Sequence, residues 1–129
     1  MVTKYYHGTS KECAKQILSK GFKTSYGRFG DGVYLTSNKL NAESFTRGIK
    51  KIIECEFLGD MAIINYQELN NLFPCANISI EEEEGYPPLK DYILNMGYDG
   101  AKIIYDKETN DDEIVIYNPR WIQSMSIIE

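Results

Sequence analysis

The hydrophobic positions of this chain change period several times, and each change predicts an element. TKYY has the composition of a short strand entering a helix. In KECAKQILSKGF, Cys13, Ala14, Ile17 and Leu18 recur at helical spacing and predict one buried face, with the helix ending near Leu18–Lys20. Thr9, followed three residues later by Glu12, has the form of a capping box. Gly21 supplies a left-handed stop, with Phe22 placed to pack back on Leu18. KTSYGRFGDG is polar and glycine-rich, which predicts a long loop of the kind that carries function. GVYLT reads as a strand, and SNKLNAESFTRG as a second helix capped near Ser37 or Asn38 and stopped at Gly48.

From Lys51 the period falls to two. Ile53, Cys55 and Phe57 share one face and Glu54 and Glu56 the other, so a half-buried strand is expected, then a turn near Gly59–Asp60 and a second run at Met61–Ile64. Residues 65–85 are polar and mixed, with one short helical turn. PPLKDYILNMG suits a helix that opens on proline and stops at Gly97. AKIIYD and DEIVIY flank KETND as a hairpin, and WIQSMSII gives a final strand after Asn118–Pro119. No repeat, linker or regular strand–helix–strand rhythm interrupts this order, so residues 1–129 are expected to form one α+β domain.

Composition narrows the function classes. Net charge is −5, with acid gathered at Glu81–Glu84 and around Asp106–Glu113, and no basic stripe is present to hold a phosphate backbone. Electrostatics therefore argue against general nucleic-acid binding, while a nucleic-acid acceptor in a reaction stays open. No run approaches the roughly 18 apolar residues of a membrane span. The N-terminal residues lack a basic region followed by an apolar core, so a cytoplasmic protein without membrane attachment is expected, or one delivered to a host cytoplasm if it is an effector. Cys13, Cys55 and Cys75 are odd in number and form no CxxC, and His7 is the single histidine. That set does not make a zinc site, so buried thiols in a reducing compartment and no metal are expected, with Cys13 and Cys55 on apolar faces.

Four features carry candidate chemistry: His7-Gly8-Thr9, Tyr34, Phe45 and Glu113. Gly8 lets backbone approach a ligand closely, and its N–H and C=O can grip an amide. His7 can give a hydrogen bond to a hydroxyl. Tyr34 offers a flat face for a planar ring. Glu113 offers fixed negative charge where a cation develops, and shares a strand face with Val115 and Tyr117.

In this order the blocks YYHGTSKECAKQILSKGF, RFGDGVYLTSNKLNAESF and DEIVIY resemble the poly(ADP-ribose) polymerase-like, diphtheria-toxin-type ADP-ribosyltransferases. That family carries a His-Tyr-Glu triad on a split antiparallel β-structure flanked by short helices. The resemblance covers most of the chain and is least informative over residues 49–90. It implies a mono-ADP-ribosyltransferase that uses NAD as co-substrate and modifies a macromolecular acceptor, expected to be protein. An NAD glycohydrolase or a non-catalytic NAD-binding module of the same fold are the alternatives. A monomer is expected.

Carried over, the resemblance gives His7 a ribose hydroxyl, the Gly8 backbone the nicotinamide carboxamide, and Thr9 a supporting role. Tyr34 would stack on the nicotinamide ring, with Phe45 on its other side. Glu113 would hold the ribose 2′-hydroxyl and stabilise an oxocarbenium-like state. Arg28 would meet the pyrophosphate. The chain departs from the pattern at Ala42, near where the family has a serine that grips the amide, and Ser44 is an imperfect substitute. Asp111 and Asp112 compete with Glu113 for the acidic role.

Overall fold

The computed structural model describes residues 4–27, 29–39, 42, 50–72, 88–106, 108 and 111–128. Among these residues it is an α+β fold of two sheets and three helices. Strands β1 (Lys4–Ser10), β4 (Lys50–Phe57) and β8 (Ile122–Ile128) form a three-stranded antiparallel sheet in the order β1-β4-β8. Strands β2 (Ser25–Gly27), β3 (Gly30–Leu35), β5 (Met61–Asn65), β6 (Gly100–Asp106) and β7 (Asp111–Ile116) form a five-stranded sheet in the order β2-β3-β7-β6-β5. The helices are α1 (Lys11–Lys20), α2 (Tyr66–Leu72) and α3 (Pro88–Asn95). None is long and apolar enough to cross a membrane.

The central strand β7 explains the layering. Every residue from Ile114 to Tyr117 is buried. Ile114 and Ile116 point into a core shared with Tyr5, Cys55, Phe57 and Ile122 of the small sheet. Val115 and Tyr117 point the other way, into a core closed by Leu69 of α2 and by Leu89 and Ile93 of α3. The alternation read in DEIVIY therefore buries both faces, and each fully buried isoleucine stabilises the fold by about 1.5–3 kcal/mol.

Local signals set most element ends. Gly97 takes φ +89°, and the N–H groups of Gly97 and Tyr98 donate to the carbonyls of Leu94 and Ile93, which stops α3 where the sequence places the stop. The β6–β7 hairpin and the last strand also stand where expected, with a short 3₁₀ turn at Pro119–Trp121 before β8. Helix α2 opens on a capping box, because the Asn65 side-chain Oδ1 accepts from the Glu68 N–H at 2.8 Å and its Nδ2 donates to the Glu68 carboxylate at 2.7 Å.

Five expectations need correction. The cap of α1 is Ser10, not Thr9, because β1 runs one residue further and the Ser10 hydroxyl accepts from the Cys13 N–H at 3.2 Å. Gly21 ends α1 with its N–H on the Ile17 carbonyl, but its ψ of 172° is extended rather than left-handed helical. Only Ala14 and Ile17 of the expected stripe turn inward, leaving Cys13 and Leu18 exposed. The presumed loop at residues 23–32 contains the β2–β3 hairpin. The larger sheet is mixed rather than antiparallel, since β5 pairs parallel with β6. Its cause is the connection: a return through α2 and α3 on one face brings the chain back in the same direction. Of the expected helix at residues 37–48, the structure describes residues 37–39 and Ala42, whose N–H donates to the Asn38 carbonyl. The remainder, with Cys75 and the Glu81–Glu84 run, lies outside the described residues.

Close strand contact gives a test. A Cβ at Gly100 would stand 2.6 Å from the Val115 carbonyl oxygen, which is backbone and has little room to yield. Gly100→Ala should therefore cost on the order of 1–3 kcal/mol, read as a lower urea midpoint at an unchanged slope. An unchanged midpoint would mean that β6 and β7 are less tightly apposed than described.

Candidate active site

One isolated bridge joins the two sheets. The Tyr6 N–H donates to the Thr36 carbonyl at 2.8 Å, and the Thr36 N–H donates to the Tyr6 carbonyl at 3.0 Å. Since Tyr6 turns its backbone groups away from β4, the strand period of two turns those of Gly8 to the same side. Gly8 lines a cavity there of about 170 Å³, together with His7, Tyr34, Ala42 and Glu113. Four of the sequence-derived site residues thus meet at one place. They come from β1, β3 and β7 and span both sheets.

His7 is set by the same bridge. Its Nδ1 lies 2.8 Å from the Tyr34 carbonyl, which can only accept, so Nδ1 carries the proton and Nε2 has the lone pair in the neutral ring. The expected donor is therefore an acceptor at its second nitrogen. Burial pushes the imidazole below its usual value, opposed by the bond to Tyr34, and so favours this neutral form. The edge of the Phe22 ring packs against it, with centroids 5.3 Å apart.

Tyr34 is held at its hydroxyl as well as by its strand. The phenol accepts from the Phe29 N–H at 2.8 Å and donates to the Gly30 carbonyl at 2.7 Å. Its ring stacks on Phe29, and a Cβ at Gly27 would come within 2.5 Å of it, so glycine lets the hairpin close over the ring. The Tyr117 hydroxyl completes the turn by donating to the Phe29 carbonyl at 2.8 Å. Burial raises the Tyr117 phenol above its usual value, assisted by Tyr34, and keeps that donor protonated.

The three acidic candidates separate by surroundings. Asp111 is exposed. Asp112 is buried, and its carboxylate accepts from the Thr36 hydroxyl at 2.9 Å, from the Ser37 N–H at 3.0 Å and from the Ser37 hydroxyl. Lys102 stands 3.7 Å from it. That carboxylate ties the chain leaving β3 to β7. Glu113 is half-buried; like Asp112 it lines the cavity, but its carboxylate accepts from the Tyr105 hydroxyl at 3.0 Å instead of from the chain leaving β3.

A second cavity of about 330 Å³ adjoins the first across His7 and Tyr34. Thr9 lies on its wall rather than in the smaller cavity, with Lys20, Lys23 and the exposed Cys13. By contrast, burial, with help from Glu54 and Glu56, pushes the Cys55 thiol up to about 12 and leaves it inert. Ala42 is fully buried in the smaller cavity's wall, so a methyl group stands where the resemblance calls for a serine. Arg28, Phe45 and Ser44 lie outside the described residues.

The sequence reading missed Thr36, Tyr105, Lys20 and Lys23. Only the lysines left a local signal, as a pair flanking the Gly21–Phe22 helix exit. Compared with protein-family models and with curated proteins, the chain finds no match in either set.

The Tyr34 hydroxyl should matter to the hairpin itself. Phe29 is fully buried, so Tyr34→Phe leaves its N–H without this acceptor and should cost about 1–3 kcal/mol in urea unfolding. Unchanged stability would show that the turn does not depend on that hydroxyl.

Proposed function

We propose that the chain is a mono-ADP-ribosyltransferase of the His-Tyr-Glu type, which cleaves NAD and passes ADP-ribose to a macromolecular acceptor, protein in the first instance. The observation that carries this reading is the meeting of His7, Gly8, Tyr34 and Glu113 around one cavity from three strands in two sheets. Each is weak alone, and packing by itself does not require a histidine, a glycine, a tyrosine and a carboxylate to converge. A three-stranded and a five-stranded sheet with the cleft at their junction also suit the ADP-ribosyltransferase fold.

The chemistry asks little beyond orientation and charge. The bond between ribose C1′ and the nicotinamide nitrogen breaks, and its electron pair leaves with neutral nicotinamide. C1′ then bonds to a nucleophilic atom of the acceptor, which gives up a proton. In between, positive charge spreads over C1′ and the ring oxygen, an oxocarbenium-like state of the kind carboxylates stabilise in glycoside hydrolysis.

The residues present suit these tasks. The smaller cavity, whose wall includes Leu35 and Ala42, has the character for a flat heteroaromatic ring beside Tyr34. Gly8 presents backbone N–H and C=O for the amide, which matters more with Ala42 in place of a serine. His7 would accept a ribose hydroxyl at Nε2, leaving Glu113 to hold the 2′-hydroxyl and face the developing cation. The larger cavity, flanked by Lys20 and Lys23, would take the anionic remainder of the dinucleotide.

Nicotinamide release from NAD, by wild type and Glu113→Ala with and without cell lysate, tests the proposal. Wild type should release nicotinamide and leave label from the ADP-ribose portion on lysate macromolecules. The variant should be slower by about 10²–10³. Full activity in Glu113→Ala, or no cleavage of NAD by wild type, would overturn it. Release without lysate and without labelled product would make the chain a glycohydrolase.

A further inference from the structure

Strand β6 carries a β-bulge beside the candidate site. Its pairing with β7 runs Ile103 to Glu113 and Ile104 to Asp112, and then jumps from Asp106 to Asp111. Tyr105 falls in the gap and has no cross-strand partner in that ladder. Tyr105 lies on the face it shares with Ile103, which pairs with Glu113, and its hydroxyl donates to Glu113 Oε1 at 3.0 Å.

The ring is held independently of that bond. Tyr66, the first residue of α2, packs against it with centroids 5.2 Å apart and planes at 47°. Both rings are half-buried at the margin of the core beneath α2 and α3. Packing therefore holds the ring, and its hydroxyl constrains the carboxylate. Glutamate has three side-chain torsions, and a carboxylate free to sample them gives up much of its value against a charge that develops at one point.

We propose that Tyr105 is a positioning residue that acts through Glu113, holding its carboxylate at Oε1 in the orientation in which Glu113 lines the cavity. This rests on the reading of Glu113 as the group that meets the reacting ribose. Tyr105 itself does not line the cavity and need not touch substrate. Removing its hydroxyl should therefore slow turnover while leaving NAD affinity nearly as it was.

The test is a double-mutant cycle on the full chain with Tyr105→Phe, Glu113→Ala and the pair, because phenylalanine keeps the ring against Tyr66 and deletes only the donor. In nicotinamide release, Tyr105→Phe should lower kcat roughly tenfold with KM little changed, and should have no further effect once Glu113 is alanine. Unchanged kcat, or the same tenfold loss in the Glu113→Ala background, overturns the proposal, since a general packing role would persist without the carboxylate. The same four proteins are compared in urea unfolding, which does not depend on NAD chemistry. Non-additive stabilities support the bond, and additive ones overturn the proposal whatever the kinetics. If wild type releases no nicotinamide, the proposed function fails, and the unfolding cycle still decides whether Tyr105 holds Glu113.

Discussion

The two hydrogen bonds between Tyr6 and Thr36 are the contact on which the site depends. They tie the backbone of the small sheet to the end of β3, beside the core the two sheets share, and the residues of the cleft are counted from them. One residue beyond Tyr6, His7 reaches the Tyr34 carbonyl, and two residues beyond, Gly8 turns its backbone groups into the cavity. On the other strand, the side chain of Thr36 reaches the Asp112 carboxylate, which fixes β7 in the same frame and with it Glu113. Side-chain direction alternates with every residue, so a slip of one position in this bridge would remove the imidazole from the cleft and face the wrong peptide toward it.

Around that junction the polar groups divide their work. Asp112 is consumed by structure: donors from Thr36 and Ser37 and the nearby Lys102 compensate its burial, and breaking such a set is costly. Its neighbour Glu113 sits on the opposite face of β7, less buried, with Tyr105 as its donor. Tyr34 likewise has its hydroxyl engaged in the β2–β3 turn, so its ring stands in a fixed orientation before any ligand arrives. A frame settled beforehand lets a few groups act on developing charge without reorganising as the reaction proceeds.

Much of this was legible because its signals are local. Proline at the start of α3 and glycine after it, the alternation in β7 and the two-sided hairpin of β6 and β7 all lie within a few residues of the feature they define. The Asn65–Glu68 cap is likewise a spacing within the sequence. What could not be read depends on distant partners. The β2–β3 hairpin holds because the Tyr34 and Tyr117 hydroxyls grip its turn, and a glycine-rich polar run gives no hint of that. Parallel pairing of β5 with β6 follows from where α2 and α3 pack, not from either strand. Among the site residues, His7, Gly8, Tyr34 and Glu113 were found by their type and order and do converge, whereas Thr9 belongs to the adjoining cavity. Tyr105 was out of reach because its role depends on a partner across the hairpin, Glu113, and not on any local pattern.

Because His7 is the only histidine, its two ring nitrogens can be followed by ¹⁵N NMR without interference. At neutral pH, Nδ1 should be the protonated nitrogen, bonded to the Tyr34 carbonyl, and Nε2 the unprotonated one. Titration with NAD should move the Nε2 resonance toward the value of a nitrogen that accepts a hydrogen bond, with Nδ1 nearly still. A proton on Nε2 instead, or an imidazole indifferent to saturating NAD, would contradict the account of this cleft as an NAD site organised by the Tyr6–Thr36 junction.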